Sequence, residues 1–573
     1  MGKTLILISF IYSMSLLGGN LVQESYWDIQ SVSNPLISPD GKYVIFTKKF
    51  IDKKNDKRIT EHWIMESNGS NKRFFVKGSN PKWSPSSKKI AYIKEDENGK
   101  SQIYVKNLAN ESVTKITNFK DDIKDFSWSP DGEHFSFVAF QEYADNWIIE
   151  IPGKIEGNKY NWTEDPKVIT TMHWRDDGVG ELESGENHLH LVNSSGGAAI
   201  KVSEWGLDYI ADLQWLNNSQ LLFSGNDSLD DLQTPWKQSG VFLLNIKNKK
   251  LEKISNKDGV FMTPKASTDG KKIAFIGHPS KDYSSVAHDV YLRDITTGRN
   301  KKLTENLSSS PKNLFWLSEN QLAFDLDERG SSKVMQLNTD NLKLSERISG
   351  FAEQFFLSST NKEDLYGTYI TSDRPGEVAV VKKTKLESLT EFNELILGQY
   401  DLGKTHEINY QAPDGTSIQG WYITPPNFDK DKTYPLILLI HGGPHAMYRP
   451  AFSYLRHQFA SDGYVVLFTN PRGSTGYGSK FANVIDNDYP GAGDLSDLLA
   501  GVDHITEKGF IDKSRMYVQG CSGGGVLTAW VIGHDDRFAA AASLCPVTNW
   551  ISMVGTTDIP AWTFEWFEKP FWE

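Results

Sequence analysis

A chain of 573 residues exceeds what one hydrophobic core organises, so length alone argues for two or more domains. Its 61 Lys and Arg against 73 Asp and Glu leave a net charge of −12 and no basic stripe, which excludes nucleic acid as the expected partner. Aromatic residues at 12% and 46 glycines fit a turn-rich β assembly, and no low-complexity linker interrupts the chain.

The chain opens on Lys3 followed by a short apolar stretch, Thr4 to Leu17, too short to span a bilayer comfortably. Small residues, Gly18 and Gly19, come next, so residues 1–19 are expected to be a cleaved secretory signal. Leu16 or Leu17 stands where the site also wants a small residue, and an uncleaved anchor is the alternative. Export predicts a periplasmic or secreted protein with no stable membrane span.

Residues 20–397 carry a recurring turn, each followed by an apolar strand. It reads Ser38-Pro-Asp-Gly41, Ser84-Pro-Ser-Ser87, Ser129-Pro-Asp-Gly132, Leu216-Asn-Asn-Ser219, Ser267-Thr-Asp-Gly270, Leu317-Ser-Glu-Asn320 and Ser358-Ser-Thr-Asn361. Most intervals are 41 to 51 residues, the repeat of four-stranded propeller blades, and one, from 129 to 216, is 87. Outer hairpins decide whether the long interval hides an eighth blade. Seven are legible, at 62–76, 102–117, 188–203, 241–255, 289–304, 333–349 and 377–393, and only one falls in the gap. The expectation is a seven-bladed β-propeller with an insertion around Gln141 to Glu186, whose Trp147, Tyr160, Trp162 and Trp174 either pack or line a substrate path.

From residue 398 the pattern changes to an α/β domain, 398–573. Glu407 to Gln411 and Ile418 to Tyr422 alternate like antiparallel edge strands around the turn Pro413-Asp414-Gly415. Tyr434 to Ile440 is a continuous apolar run, the mark of a buried parallel strand, and it leads into His441-Gly442-Gly443-Pro444. Another buried strand, Gly463 to Phe468, ends in Asn470-Pro471-Arg472-Gly473-Ser474-Thr475-Gly476-Tyr477-Gly478, at the carboxyl edge where such sheets bind ligands. Arg515 to Gln519 is extended, and Gly523 to Val531 reads as the start of a helix; between them stands Gly520-Cys521-Ser522-Gly523-Gly524. Strand, tight turn and helix make this a nucleophile elbow with Ser522 as the attacking group, and the amides of Gly443 and Gly523 as the expected oxyanion donors. His441, His445, Arg472 and Tyr477 are candidate substrate contacts, with loop packing for the histidines and a structural ion pair for Arg472 as the alternatives. Cys521 and Cys545 are the only cysteines; they either form a disulfide bracing the elbow or remain buried thiols.

The motifs His441-Gly-Gly-Pro-His445, Asn470 to Gly478, Gly520 to Gly524 and Gly533-His-Asp-Asp-Arg-Phe538, in this order, resemble the prolyl oligopeptidase family of serine peptidases, particularly its acylaminoacyl-peptidase and dipeptidyl-peptidase-like bacterial branch. The resemblance implies an N-terminal propeller that restricts access by size, a C-terminal α/β-hydrolase domain, and hydrolysis of short peptides through an acyl-enzyme, with no cofactor and no metal. The residue after the nucleophile, often aromatic or His in that family, is Gly523 here.

A triad of this fold runs Ser, then Asp or Glu, then His. After Ser522 the only histidine is His534, twelve residues on, which a helix displaces by roughly 18 Å. Asp535, Asp536 and Asp558 do not end a further apolar strand, and the tail from Trp562 to Glu573 is aromatic. The acid and the histidine are therefore expected beyond residue 573, in a coding sequence cut short, and the chain as it stands is expected to be inactive. An esterase using the same elbow, or a propeller binding protein with a decayed hydrolase half, are the competing readings.

Overall fold

In the recurring turns a serine hydroxyl does the work of a backbone group. Ser38, Ser129 and Ser267 each donate to the aspartate two residues on, at 2.5–2.7 Å, and accept the amide of the residue that opens the next strand, at 2.9–3.0 Å. The computed structural model describes residues 18–143, 174–207, 209–226, 238–281, 283–351, 353–358, 364–491, 493–559 and 566. The described residues form seven four-stranded antiparallel sheets, spanning 31–76, 79–115, 123–201, 210–253, 260–302, 312–351 and 353–388; in the first six the recurring turn joins the first strand to the second, and the turn expected at Ser358 to Asn361 runs outside the described residues. These are the seven blades.

The second strand of a blade is sandwiched between two neighbours, which is why runs such as Tyr43-Val-Ile-Phe46 and Phe135-Ser-Phe-Val-Ala139 are almost wholly buried. Each blade-to-blade interface has its own apolar cluster. Ile45 and Phe75 meet Ile90 and Tyr92 between blades 1 and 2, for instance, and Val32 and Phe46 meet Val378 and Val380 between blades 1 and 7. That last seam also holds a twin hydrogen bond, Gln30 N to Asn393 Oδ1 and Asn393 Nδ2 to Gln30 O, both 2.8 Å.

A feature not read from the sequence links blades laterally. Trp83, Trp128, Trp215 and Trp316 each stand one residue before a turn and donate the indole N–H to a carbonyl of the preceding blade: Leu36 at 3.0 Å, Lys82 at 3.3 Å, Ser127 at 3.3 Å and Lys265 at 2.8 Å. The signal was the tryptophan repeating at the turn's register in four of the blades.

The insertion interrupts blade 3 between its second and third strands, leaving at Glu142 and returning at its partner Gly185. Trp147, Tyr160 and Trp162 lie outside the described residues. Trp174 precedes a small hairpin, Arg175–Asp176 with Gly180–Glu181, and the Asp177 amide at its tip donates to Asp558 Oδ2 at 2.9 Å, in the second domain.

The second domain is a six-stranded sheet of β1 (Lys404–Gln411), β2 (Ser417–Thr424), β3 (Tyr434–Ile440), β4 (Val465–Asn470), β5 (Ile511–Cys521) and β6 (Ala540–Leu544), in the order β1-β2-β4-β3-β5-β6. β2 pairs antiparallel with both β1 and β4, and the pairings β4 with β3, β3 with β5 and β5 with β6 are parallel, as the alternating and then continuous apolar patterns require. Helices α1 (Tyr454–Ser461), α2 (Asp494–Thr506) and α3 (Gly523–His534) cover its faces, and α4 (Trp550–Thr556) follows β6. Val466 and Phe468 face one apolar cluster, Val465 and Leu467 the other, so the sheet is buried on both sides.

Residues 20–28, taken with the propeller by sequence, run over α1: Leu21 N donates to Ser461 Oγ at 3.2 Å, and Gln458 Nε2 to Leu21 O at 3.1 Å. Gly19–Asn20 also pairs in parallel with Tyr400–Asp401. Among the described residues no helix is long and apolar enough to cross a membrane.

Candidate active site

Ser522 sits between the end of β5 and the first residue of α3, at φ 57° and ψ −124°. A non-glycine residue held there is strained by about 1–3 kcal/mol, and the surrounding backbone imposes it. The Ser522 amide donates to Leu544 O at 3.0 Å, so the elbow is tied to the end of β6. Cys521 and Cys545 form a disulfide with Cα atoms 5.6 Å apart, a second tie across the same two strands. The side chain of Ser522 is exposed, and among the described residues its hydroxyl has no hydrogen-bond partner.

Glycine is required around it by contact rather than by turn geometry alone. A Cβ on Gly520 would lie 2.2 Å from Gly524 O, and one on Gly524 would lie 2.3 Å from Ile440 O. Helix α3 thereby sits directly on β3 and β5, with its amide end at the serine. A Cβ on Gly523 would stand 2.7 Å from Gly443 O and 3.1 Å from Gly443 N; this close approach explains the glycine after the nucleophile. A Cβ on Gly442 would meet Ser522 Cβ at 3.4 Å and Gly523 N at 3.8 Å. The His441-Gly-Gly loop and the elbow are thus in mutual contact, Gly442 against Ser522 and Gly443 against Gly523.

The polar side chains singled out by sequence are engaged internally. His441 is buried, its Nδ1 2.8 Å from Gly442 O and its Nε2 3.0 Å from Ser474 Oγ. His445 Nδ1 is 3.0 Å from Gly473 O and its Nε2 is 2.7 Å from Ser284 Oγ of blade 5. Burial pushes both imidazoles below their ordinary pKa. With both ring nitrogens occupied, these histidines hold the loop, the packing alternative to substrate contact. Arg472 takes the structural alternative too: its Nε and Nη2 reach Asp497 at 3.0 and 2.7 Å, and Nη1 reaches Asp414. Tyr477 donates to Gln419 Oε1 and accepts from Asn470 Nδ2, each at 2.7 Å; burial pushes its phenol up to about 12. His534 lies at the far end of α3, its Nδ1 2.8 Å from Trp530 O.

Two features escaped the sequence reading. Tyr489 donates to Gly523 O at 2.8 Å, and its ring belongs to an aromatic group with Trp550 and Trp566, centroids 5.4–6.3 Å apart. This wall stands beside the elbow; the aromatic tail was noticed in the sequence but given no place. The second is the domain junction. Asp327 of blade 6 is buried, which alone would raise its pKa, yet Arg449 and Lys312 hold it below the usual range. Ser284, Asn483 and Asp486 meet around His445, so blade 5 touches the loop that carries Gly443.

Known proteins match this combination. The Prolyl oligopeptidase family profile matches residues 450–572. The uncharacterized peptidase YuxL of Bacillus subtilis is 27% identical over 560 residues, 94% of this chain and 84% of that protein. Dipeptidyl-peptidase 5 of Porphyromonas gingivalis is 24% identical over 583 residues, 97% of this chain and 83% of that protein. Among solved structures, Pyrococcus horikoshii acylaminoacyl peptidase superposes with a TM-score of 0.78 at 22% identity, covering 94% of this chain and 81% of that one. Residues 450–572 are thus similar to the Prolyl oligopeptidase family, and the chain as a whole is similar to peptidases such as dipeptidyl-peptidase 5 and, in fold, to acylaminoacyl peptidase.

Proposed function

We propose that Ser522 is the nucleophile of an exported peptidase that hydrolyses short peptides. The observation that carries this is the strained, exposed serine at the start of α3, with the Gly443 backbone so close to Gly523 that no Cβ fits between them. Attack on a scissile carbonyl would form an acyl-enzyme, with the oxyanion held by the Gly443 and Gly523 amides. The Tyr489, Trp550 and Trp566 wall would receive an apolar side chain next to the scissile bond. The relatives named as peptidases support the peptide class of substrate, and the leader expected over residues 1–19, together with the Cys521–Cys545 disulfide, supports export.

The base is the open part. His441 and His445 have both ring nitrogens engaged and His534 lies at the far end of α3, so this reading takes the triad acid and histidine from sequence following residue 573. The DNA after codon 573 tests it: an in-frame continuation with a strand-terminal Asp and a later His is expected. Expressed with that continuation, the protein should take up a fluorophosphonate probe and cleave dipeptidyl anilides, both abolished by Ser522→Ala. Cleavage of acyl esters without any peptide cleavage would overturn the peptidase reading in favour of an esterase.

A further inference from the structure

The propeller contains a polar cavity that acyl transfer at Ser522 does not use. It measures about 440 Å³ and is lined by Asn80 and Lys82 of blade 2, Asp125 of blade 3, Asp212 and Gln214 of blade 4, and Lys265 of blade 5. All six stand on the first strands of their blades, the strands that contact one another around the ring, so the cavity faces the central tunnel. Each of these strands breaks register at this level, and Asn80 and Asp212 adopt φ of 51° and 56°. Bulges of this kind re-aim side chains, here four charges into one space.

The charges are not equivalent. Lys82 Nζ is 2.8 Å from Asp125 Oδ1 and also donates to Phe126 O, and Asn80 Nδ2 reaches the same carboxylate at 2.7 Å. That pair is satisfied. Asp212 has one oxygen occupied, by Ser224 Oγ at 2.7 Å and Thr263 N at 3.1 Å. Lys265 has no hydrogen-bond or ion-pair partner for its ammonium among the described residues, and Asp212 acts on it only at longer range. A cation and an anion are thus held apart across a cavity in the size range of small-ligand sites. Lys265 is half-buried at the wall of the cavity, and its ammonium, with no partner among the described residues, is left to meet an occupant.

We propose that this cavity binds the zwitterion of a free amino acid or short peptide, its carboxylate on Lys265 and its ammonium on Asp212. The inference stands on the tunnel's own geometry and is independent of Ser522. Burial holds Lys265 below its ordinary pKa, with Asp212, Lys82 and Asp125 as the other charges facing it.

Titration calorimetry on the whole chain tests the site with glycylglycine, glycine, N-acetylglycylglycine and glycylglycinamide. Glycylglycine or glycine should bind, and their ratio tells a peptide from an amino acid. Blocking either end of the dipeptide should weaken binding at least tenfold. Lys265→Met should abolish binding while raising Tm, which separates loss of the site from unfolding, and Asp212→Asn should lose selectivity for the free amine. No binding of either zwitterion, or an affinity unchanged in Lys265→Met, would overturn the proposal.

Discussion

The two domains stabilise themselves in opposite ways. The propeller spreads its apolar burial over seven interfaces, each between neighbouring blades, so that a defect is felt by two blades and little else. The second domain gathers the elbow, the Gly443 loop, the Arg472 loop and the disulfide around the ends of four adjacent strands. There the contacts are backbone to backbone and have no slack. Perturbations of equal chemical size should be graded in the first domain and severe in the second.

The sharpest way to break that contrast is Arg472→Met. Asp497 has no exposed surface, and its carboxylate loses its guanidinium partner while Arg472 N remains. Stranding a buried charge costs about 3–5 kcal/mol, which urea denaturation should show as a lower midpoint. The double variant Arg472→Met with Asp497→Leu should recover much of that loss. If Arg472→Met alone costs under about 1 kcal/mol, the site is more forgiving than its geometry implies.

Repetition made the propeller legible. Turns at Ser38, Ser129 and Ser267 gave the blade number because each obeys the same local chemistry, and the outer hairpins excluded an eighth blade. The elbow was legible for another reason: Gly520, Gly523 and Gly524 can only be explained by close approach, and the structure supplies the approaching atoms. What stayed hidden depends on side chains meeting over long sequence distances. Ser284 against His445, Asp327 against Arg449 and Lys265 near Asp212 are pairings that no periodicity announces. Arg472 and the two loop histidines were readable as important but not as internal, because their partners are set by the folded loop.

A buried carboxylate offers an intermediate test within the second domain. Asp494 opens α2 with no exposed surface; burial pushes its pKa up to about 6, against the pull of the Gly491 and Leu495 amides. The folded state therefore binds this proton more tightly than the unfolded chain, and stability falls as pH rises from about 4 to 6. Asp494→Asn keeps an acceptor for the amides and removes the charge. It should be more stable than the parent at pH 7, by up to about 3 kcal/mol, with the gap closing near pH 4. Favourable interaction of the anion with the start of α2 reduces the gain. Melting curves from pH 4 to 7 for both proteins decide it, and a gap independent of pH would show that Asp494 is not the group responsible.

The smallest effects belong to the propeller, where the lateral indole bonds can be removed one at a time. Trp83→Phe in blade 2 and Trp316→Phe in blade 6 each delete a neutral N–H to carbonyl bond and a little packed surface, worth about 1–2 kcal/mol. The two tryptophans share no partner: one bonds blade 1 and the other blade 5. If burial is distributed as the seven clusters indicate, the double variant should lose the sum of the single losses within about 0.5 kcal/mol. The acceptors, Leu36 O and Lys265 O, lie on first strands next to the tunnel, so local exchange should rise in the two blades flanking each lost bond and stay unchanged elsewhere. Hydrogen exchange read peptide by peptide measures both points. A loss well beyond the sum, or exchange rising around the whole ring, would mean that the propeller behaves as one cooperative unit, like the domain it is compared with.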